Sequence, residues 1–195
     1  MLARSIDTGK TMRVSECTIL IMPGRGNSGP EHWQSRWETK LTRARRVMQD
    51  DRVMAKRAPW VANIVHAVGG GPKPVVLVTH SLGGVAALWA ARQLPPDAIA
   101  GAFIVAPPSE VHIHAADEID NDFAPVPREK LPFPAVLVAS RNDPVAEFAW
   151  SEALAASLGA DFVDAGEAGH LDAEAGFGPW PEGLMRFGQF LRGLG

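Results

Sequence analysis

The chain has 195 residues, a formal net charge of −3, 46% hydrophobic and 21% charged residues, and one cysteine, Cys17. This length and composition suit one globular domain able to bury a core, and the mildly acidic balance lacks the basic face that nucleic acid requires. A single cysteine excludes an internal disulfide framework, no apolar run reaches the ~20 residues of a bilayer span, and residues 1–16 lack the apolar core of a signal peptide, so the expected location is cytoplasmic.

Residues 1–15 read as a flexible N-terminal extension, with Met12 as a second candidate start, and residues 16–195 as one domain. Thr18–Met22 is the first short, apolar, β-branched run and predicts a strand. A helical pattern over about Glu31–Thr42 follows, then a strand over about Arg46–Gln49 and a helix over about Ala58–Val68. Gly69-Gly70-Gly71-Pro72-Lys73-Pro74 ends that helix and turns into the strand Val75–Thr79, which the helix Leu82–Gln93 follows. Further strands are expected at Ala102–Ala106, Ala135–Ala139 and Asp161–Val163, with helices at about Val145–Leu158 and Glu182–Leu191. Alternating strands and helices, with strands apolar along their whole length, predict a mostly parallel sheet of about six strands covered on both faces. Two segments break the rhythm, that glycine-proline turn and Pro107 to Pro134; the second is too long for a plain loop unless functional or partly helical. No internal repeat or low-complexity tract is present.

Val75 to Gly84, VVLVTHSLGG, carries the most chemistry. A buried strand runs into a small-residue turn and then a helix, and a serine at that corner is presented on a tight turn with its hydroxyl exposed. Ser81 is therefore the candidate nucleophile, and it needs a base to take its proton and a carboxylate to orient the base. In parallel-sheet hydrolases the chain order is serine, acid, histidine. Asp143, directly after the strand Ala135–Ala139, is the candidate acid, with Asp164 and Asp172 as rivals. His170, on a glycine-rich loop after the last strand, is the candidate base. His80 reads as a packed neighbour of the elbow, because adjacent side chains diverge. The oxyanion of acyl transfer needs preset amides; the backbone N–H groups of Leu82 and of Arg25, on the loop after the first strand, are the candidates. The Arg25 side chain is either a solvated surface group or a contact for an anionic substrate. Trp33 and Trp180, on strand-end loops, are the candidate walls of a substrate pocket.

Two other signals compete. Gly24, Gly26 and Gly29 match G-x-G-x-x-G, with Asp50 and Asp51 about twenty residues on, as in dinucleotide-binding folds. There the helix must begin within the glycines, whereas Pro30 places its start near Glu31. His112 and His114, followed by Asp117, Glu118, Asp120 and Asp122, suggest a metal, but without helical ligand spacing they read as a solvated acidic segment. Neither a metal nor a cofactor is expected.

With these residues in place, the chain resembles the small serine hydrolases of the α/β-hydrolase superfamily related to retinoblastoma-binding protein 9 and the YdeN proteins. The likeness runs from about Thr18 to Gly193. It is carried by Pro23-Gly24 through Glu31-His32-Trp33-Gln34, by Thr79-His80-Ser81-Leu82-Gly83, by Leu131-Pro132-Phe133-Pro134 with Ser140-Arg141-Asn142-Asp143-Pro144, and by Gly169 through Gly183. The resemblance implies Ser81, Asp143 and His170 as nucleophile, acid and base, with little or no lid domain. It implies hydrolysis of a small-molecule ester, thioester or amide without a cofactor, a small carboxylester being the default. The other class left open is a binding protein that keeps the fold with weak catalysis. Three departures stand out. Thr79 replaces the elbow's usual first glycine, Arg52 stands where relatives tend to carry an aromatic, and the Leu-x-Cys-x-Glu pattern is absent, so no retinoblastoma-type partner, nucleic acid or membrane is expected.

Overall fold

The computed structural model describes residues 17–194; the expected extension at residues 1–15 lies outside the described residues. Six strands form one parallel sheet: β1 (Thr18–Met22), β2 (Ala44–Arg46), β3 (Val75–His80), β4 (Gly101–Val105), β5 (Ala135–Ala139) and β6 (Asp161–Asp164), in the spatial order β2-β1-β3-β4-β5-β6. The helices are α1 (Trp33–Lys40), α2 (Arg57–Gly69), α3 (Leu82–Ala91), α4 (Glu110–Ala115), α5 (Phe148–Leu158) and α6 (Pro181–Arg192). This is the α/β-hydrolase arrangement. No helix among the described residues is long and apolar enough to cross a membrane.

Strand side chains alternate between the faces, and the two cores follow that period of two. Leu20, Met22, Leu77, Ile104 and Leu137 face the side packed by Trp60 and Ile64 of α2, Val85 and Leu88 of α3 and Leu154 of α5. Ile19, Ile21, Val76, Val78, Phe103 and Val136 face Trp33 and Trp37 of α1 and Phe187 and Leu191 of α6. A strand with both faces covered is apolar along most of its length, which is why β1 and β3 to β5 read as hydrophobic runs interrupted only at Thr18, Thr79 and His80.

After β1 the chain crosses to β2 on one side, and then returns to place β3 on the other. That reversal opens a crevice between the loops leaving the carboxyl ends of β1 and β3, where ligands bind in open parallel sheets. The long connection after β4 holds only α4 and a 3₁₀ turn at Asn121–Phe123, so no lid domain covers this rim.

The least regular strand moved furthest from expectation. β2 spans Ala44–Arg46 rather than Arg46–Gln49, because its pairing is set by β1, with Ile19 opposite Ala44 and Ile21 opposite Arg46. Arg46 is fixed there by Glu38 at 2.9 Å and by the Ser28 carbonyl at 2.8 Å.

Candidate active site

Ser81 sits between β3 and α3 with φ 53° and ψ −132°, a conformation that costs a non-glycine residue about 1–3 kcal/mol and needs its surroundings to hold it. The Ser81 N–H donates to the Val105 carbonyl at 2.9 Å, tying the corner to β4. A Cβ on Gly24 would lie 2.7 Å from Ser81 Cβ and 3.1 Å from its Oγ, so the backbone of the β1 loop touches the candidate nucleophile. Gly83 lets the first turn of α3 abut the carbonyls of Met22 and Pro23, where no side chain fits. Two of the three sequence glycines around this corner are thus required by close approach rather than by turn geometry.

Thr79 is fully buried in β3. Its side chain occupies space left by Gly84 one helical turn on: a Cβ at Gly84 would lie 3.1 Å from Thr79 Oγ1 and 3.3 Å from Ile104 Cγ2. The crowding expected of a side chain two residues before the nucleophile is therefore relieved across the corner. The Thr79 hydroxyl itself has no hydrogen-bond partner.

Asp143 and His170 meet across the ends of β5 and β6. His170 Nδ1 lies 3.0 Å from Asp143 Oδ1 and 3.2 Å from Oδ2. The carboxylate is almost wholly buried, and its Oδ1 also accepts the Val145 N–H at 3.0 Å. Because a carboxylate accepts, Nδ1 carries the imidazole proton and Nε2 keeps its lone pair. The rival acids are occupied elsewhere: Asp164 pairs with Arg141 at 2.6 Å and accepts the Gly166 N–H, and Asp172 accepts the Ala175 N–H.

The loop bearing His170 is held by polar groups to which the sequence reading assigned no such part. Asn142 Oδ1 accepts the Gly169 N–H at 2.7 Å and the Ser140 hydroxyl at 2.8 Å, and Ser140 Oγ accepts the Ala168 N–H. Trp33 donates its indole N–H to the Leu171 carbonyl at 2.9 Å. His80 lies 2.8 Å, through Nε2, from the His170 carbonyl; a carbonyl only accepts, so Nε2 is the protonated nitrogen. The His80 ring also packs against His170 and His32, with centroids 4.8 Å away in both cases. Burial, followed by the neighbouring His170 and His32, holds the His80 pKa well below the ordinary imidazole range.

His32 caps α1, its Nδ1 accepting the Gln34 N–H at 3.1 Å, and burial, partly opposed by Asp172, lowers its pKa from 6.5 to about 4. Gln34 is fully buried and satisfied: it donates to the carbonyls of Met22 and Val78 and accepts the Ser28 hydroxyl, locking the β1 loop to the ends of β1 and β3.

A cavity of about 260 Å³ joins these parts, lined among others by Arg25, His32, Ser81, His170, Asp172 and Glu174. Trp33 and Trp180 do not line it, contrary to the sequence expectation. Both are buried in an aromatic stack, centroids 5.2 Å apart, with Trp37 and Phe187. Trp33 enters α1 with its ring turned into the core, where it holds the base loop instead of walling the pocket. The Arg25 side chain is partly exposed and lies 3.9 Å from Glu118, while its amide follows Gly24 at the nucleophile. Leu82 is the first residue of α3, so its N–H belongs to the positive end of that helix.

The competing readings find no support in the geometry. α1 begins at Trp33, after the last glycine of G-x-G-x-x-G, so no helix N-terminus opens within that motif. His114 pairs with Asn121, and no group of three or more His, Cys, Asp or Glu among the described residues is arranged to hold a metal ion.

Comparison with known proteins bears on the family and the fold. The family model described as "Serine hydrolase" matches residues 19–189. A YdeN-like hydrolase from Pectobacterium atrosepticum is 36% identical, with 93% of this chain and 94% of that one covered and a TM-score of 0.82. The ydeN gene product of Bacillus subtilis (18% identical, 89% and 97% covered, TM-score 0.72) and the carboxylesterase CesB from Bacillus subtilis (12%, 94% and 86%, 0.65) share the fold. No curated protein sequence matches. The chain belongs to the serine hydrolase family, built on the α/β-hydrolase fold.

Proposed function

We propose that the protein hydrolyses a small carboxylester, or a thioester or amide, through an acyl-enzyme on Ser81. The observation that carries this reading is His170, held by Asp143 at 3.0 Å and lining the same cavity as Ser81 on its strained corner. His170 Nε2, left unprotonated by the Nδ1–H bond to Asp143, takes the Ser81 hydroxyl proton as Oγ attacks the scissile carbonyl. The tetrahedral oxyanion is met by the amides of Leu82 and Arg25, from the α3 N-terminus and the loop pressed against Ser81. Collapse breaks the bond to the leaving group, which departs with the proton held by His170. Water, deprotonated by the same nitrogen, then attacks the acyl-enzyme, releasing the acid and restoring Ser81. All three roles fall on side chains of this chain, and a small-molecule substrate suits a rim without a lid.

Covalent labelling by a fluorophosphonate tests the reading. Labelling is expected in the native protein, absent in Ser81→Ala and strongly reduced in His170→Ala. A well-folded native protein that takes no label would sink it.

A further inference from the structure

We infer that the substrate has an apolar half, an aromatic ring or a medium-length alkyl chain, and that it lies in the groove between α4 and the Pro144–Ala146 turn. The inference rests on the hydrolase reading above and adds a substrate class to it.

Two cavities flank the His170–Asp143 pair, His170 lining one and Asp143 the other, and only the second carries large apolar side chains. The one containing Ser81 offers Arg25, Asn27, His32, Asp172 and Glu174 and no aliphatic side chain larger than Ala173. A hydrocarbon chain placed there would strip water from charged groups and return no hydrogen bonds. The other, of about 440 Å³, sets Val111, Ala115, Pro144, Val145, Ala146 and Trp150 beside the polar Ser109, His112, Asp143 and Glu147. Its volume lies within the range of small-molecule sites, and an apolar cavity of ~150 Å³ already holds a benzene ring.

The groove adjoins the His170–Asp143 pair. Asp143 belongs to its lining as well as to the pair with His170. His112, also in the lining, has its pKa lowered first by burial and then by the charges of His170 and Arg25, against Asp143. Val111 stands 81% exposed on the same helix, the most water-exposed of the large apolar side chains described. A single exposed valine is ordinary; one that borders an apolar groove next to a nucleophile is placed to be covered by substrate.

The test measures kcat/KM by proton release on methyl acetate, methyl hexanoate and hexyl acetate. The native enzyme is expected to prefer at least one six-carbon ester over methyl acetate by about tenfold or more, in line with the worth of methylenes in an apolar pocket. Ala115→Trp, at an exposed position of α4, fills the groove and should bring that preference to within about twofold. The fall in kcat/KM should be several-fold larger for the favoured six-carbon ester than for methyl acetate. Val111→Asp, also at an exposed site, should weaken the same preference without filling space. Whichever ester loses its advantage shows whether the groove takes the acyl or the alcohol side. The inference is overturned if the native enzyme shows no chain-length preference, if the variants leave it intact, or if they slow all three esters alike. Native protein that labels but ignores chain length removes the groove only; native protein that never labels removes the hydrolase reading itself.

Discussion

Gly24→Ala is the sharpest probe of how the nucleophile is held. The added methyl carbon would lie 2.7 Å from Ser81 Cβ, 3.1 Å from Oγ and 3.4 Å from the His80 carbonyl. Carbon atoms rest at about 3.5–4.0 Å, so the two backbones must part by roughly 1 Å. Neither yields easily. The Ser81 N–H is bound to Val105 at 2.9 Å, Gly83 is jammed against two carbonyls, and the β1 loop is pinned by the Gly26 N–H to Arg52 at 2.7 Å and by Gln34. The displacement therefore falls on Oγ and on the Arg25 amide together. A misplacement of that size costs about 10²-fold in rate, equivalent to about 2.7 kcal/mol of barrier. Overpacking should also lower stability by about 1–3 kcal/mol. The control is Gly26→Ala: φ is +79° but nothing lies within 4 Å of the new Cβ, so it pays about 1–2 kcal/mol of backbone strain and should keep kcat within threefold. Steady-state hydrolysis of a short-chain ester, with active sites counted by fluorophosphonate titration, measures both. The reasoning fails if Gly24→Ala keeps kcat within threefold, or if Gly26→Ala loses as much.

His80 acts as a positioning residue for His170, so His80→Leu should lower kcat about tenfold or more with KM unchanged, and His80→Gln, which restores an N–H donor, should recover part of it; equal losses in both variants would leave only a packing role. Stability should also depend on pH through His32, whose ordinary value is 6.5 and whose folded value is about 4. Because the unfolded chain takes up this proton first as pH falls, the contribution is fully present above pH 6.5 and is lost progressively toward pH 4, by up to ~3 kcal/mol; the buried His80 adds in the same direction. Urea unfolding at pH 7 and 4.5 should show the native protein losing about 2 kcal/mol more than His32→Asn, which keeps a helix-capping oxygen; equal losses would refute the assignment.

The elements that two-sided burial dictates were legible in the sequence. β1, β3, β4 and β5 are buried at every position and mostly apolar because helices cover both faces, and the corner at Ser81 follows from the strand and helix that bound it. The order of Ser81, Asp143 and His170 along the chain was legible for the same reason: each follows a recognisable strand. What escaped depends on partners distant in sequence. β2 takes its register from β1, so its own composition misplaces it. α1 begins at Trp33 rather than Glu31 because His32, an uncommon cap, accepts from Gln34. Trp33 and Trp180 stand near strand ends, as expected of pocket walls, yet ring direction is decided by the α1–α6 packing. The bond from His80 to a carbonyl ninety residues away leaves no local trace, and only its adjacency to Ser81 singled it out.

The fit between Thr79 and Gly84 imposes an order on how this corner can change. While Thr79 is present, a methyl group at position 84 meets its hydroxyl at 3.1 Å and Ile104 at 3.3 Å. Once position 79 is glycine, one of those two contacts is gone. A lineage can therefore shed the threonine first and enlarge residue 84 afterwards, but the reverse path passes through an overpacked intermediate. The two positions behave as a ratchet, and substitutions tried singly at residue 84 would report the elbow as less tolerant than it is.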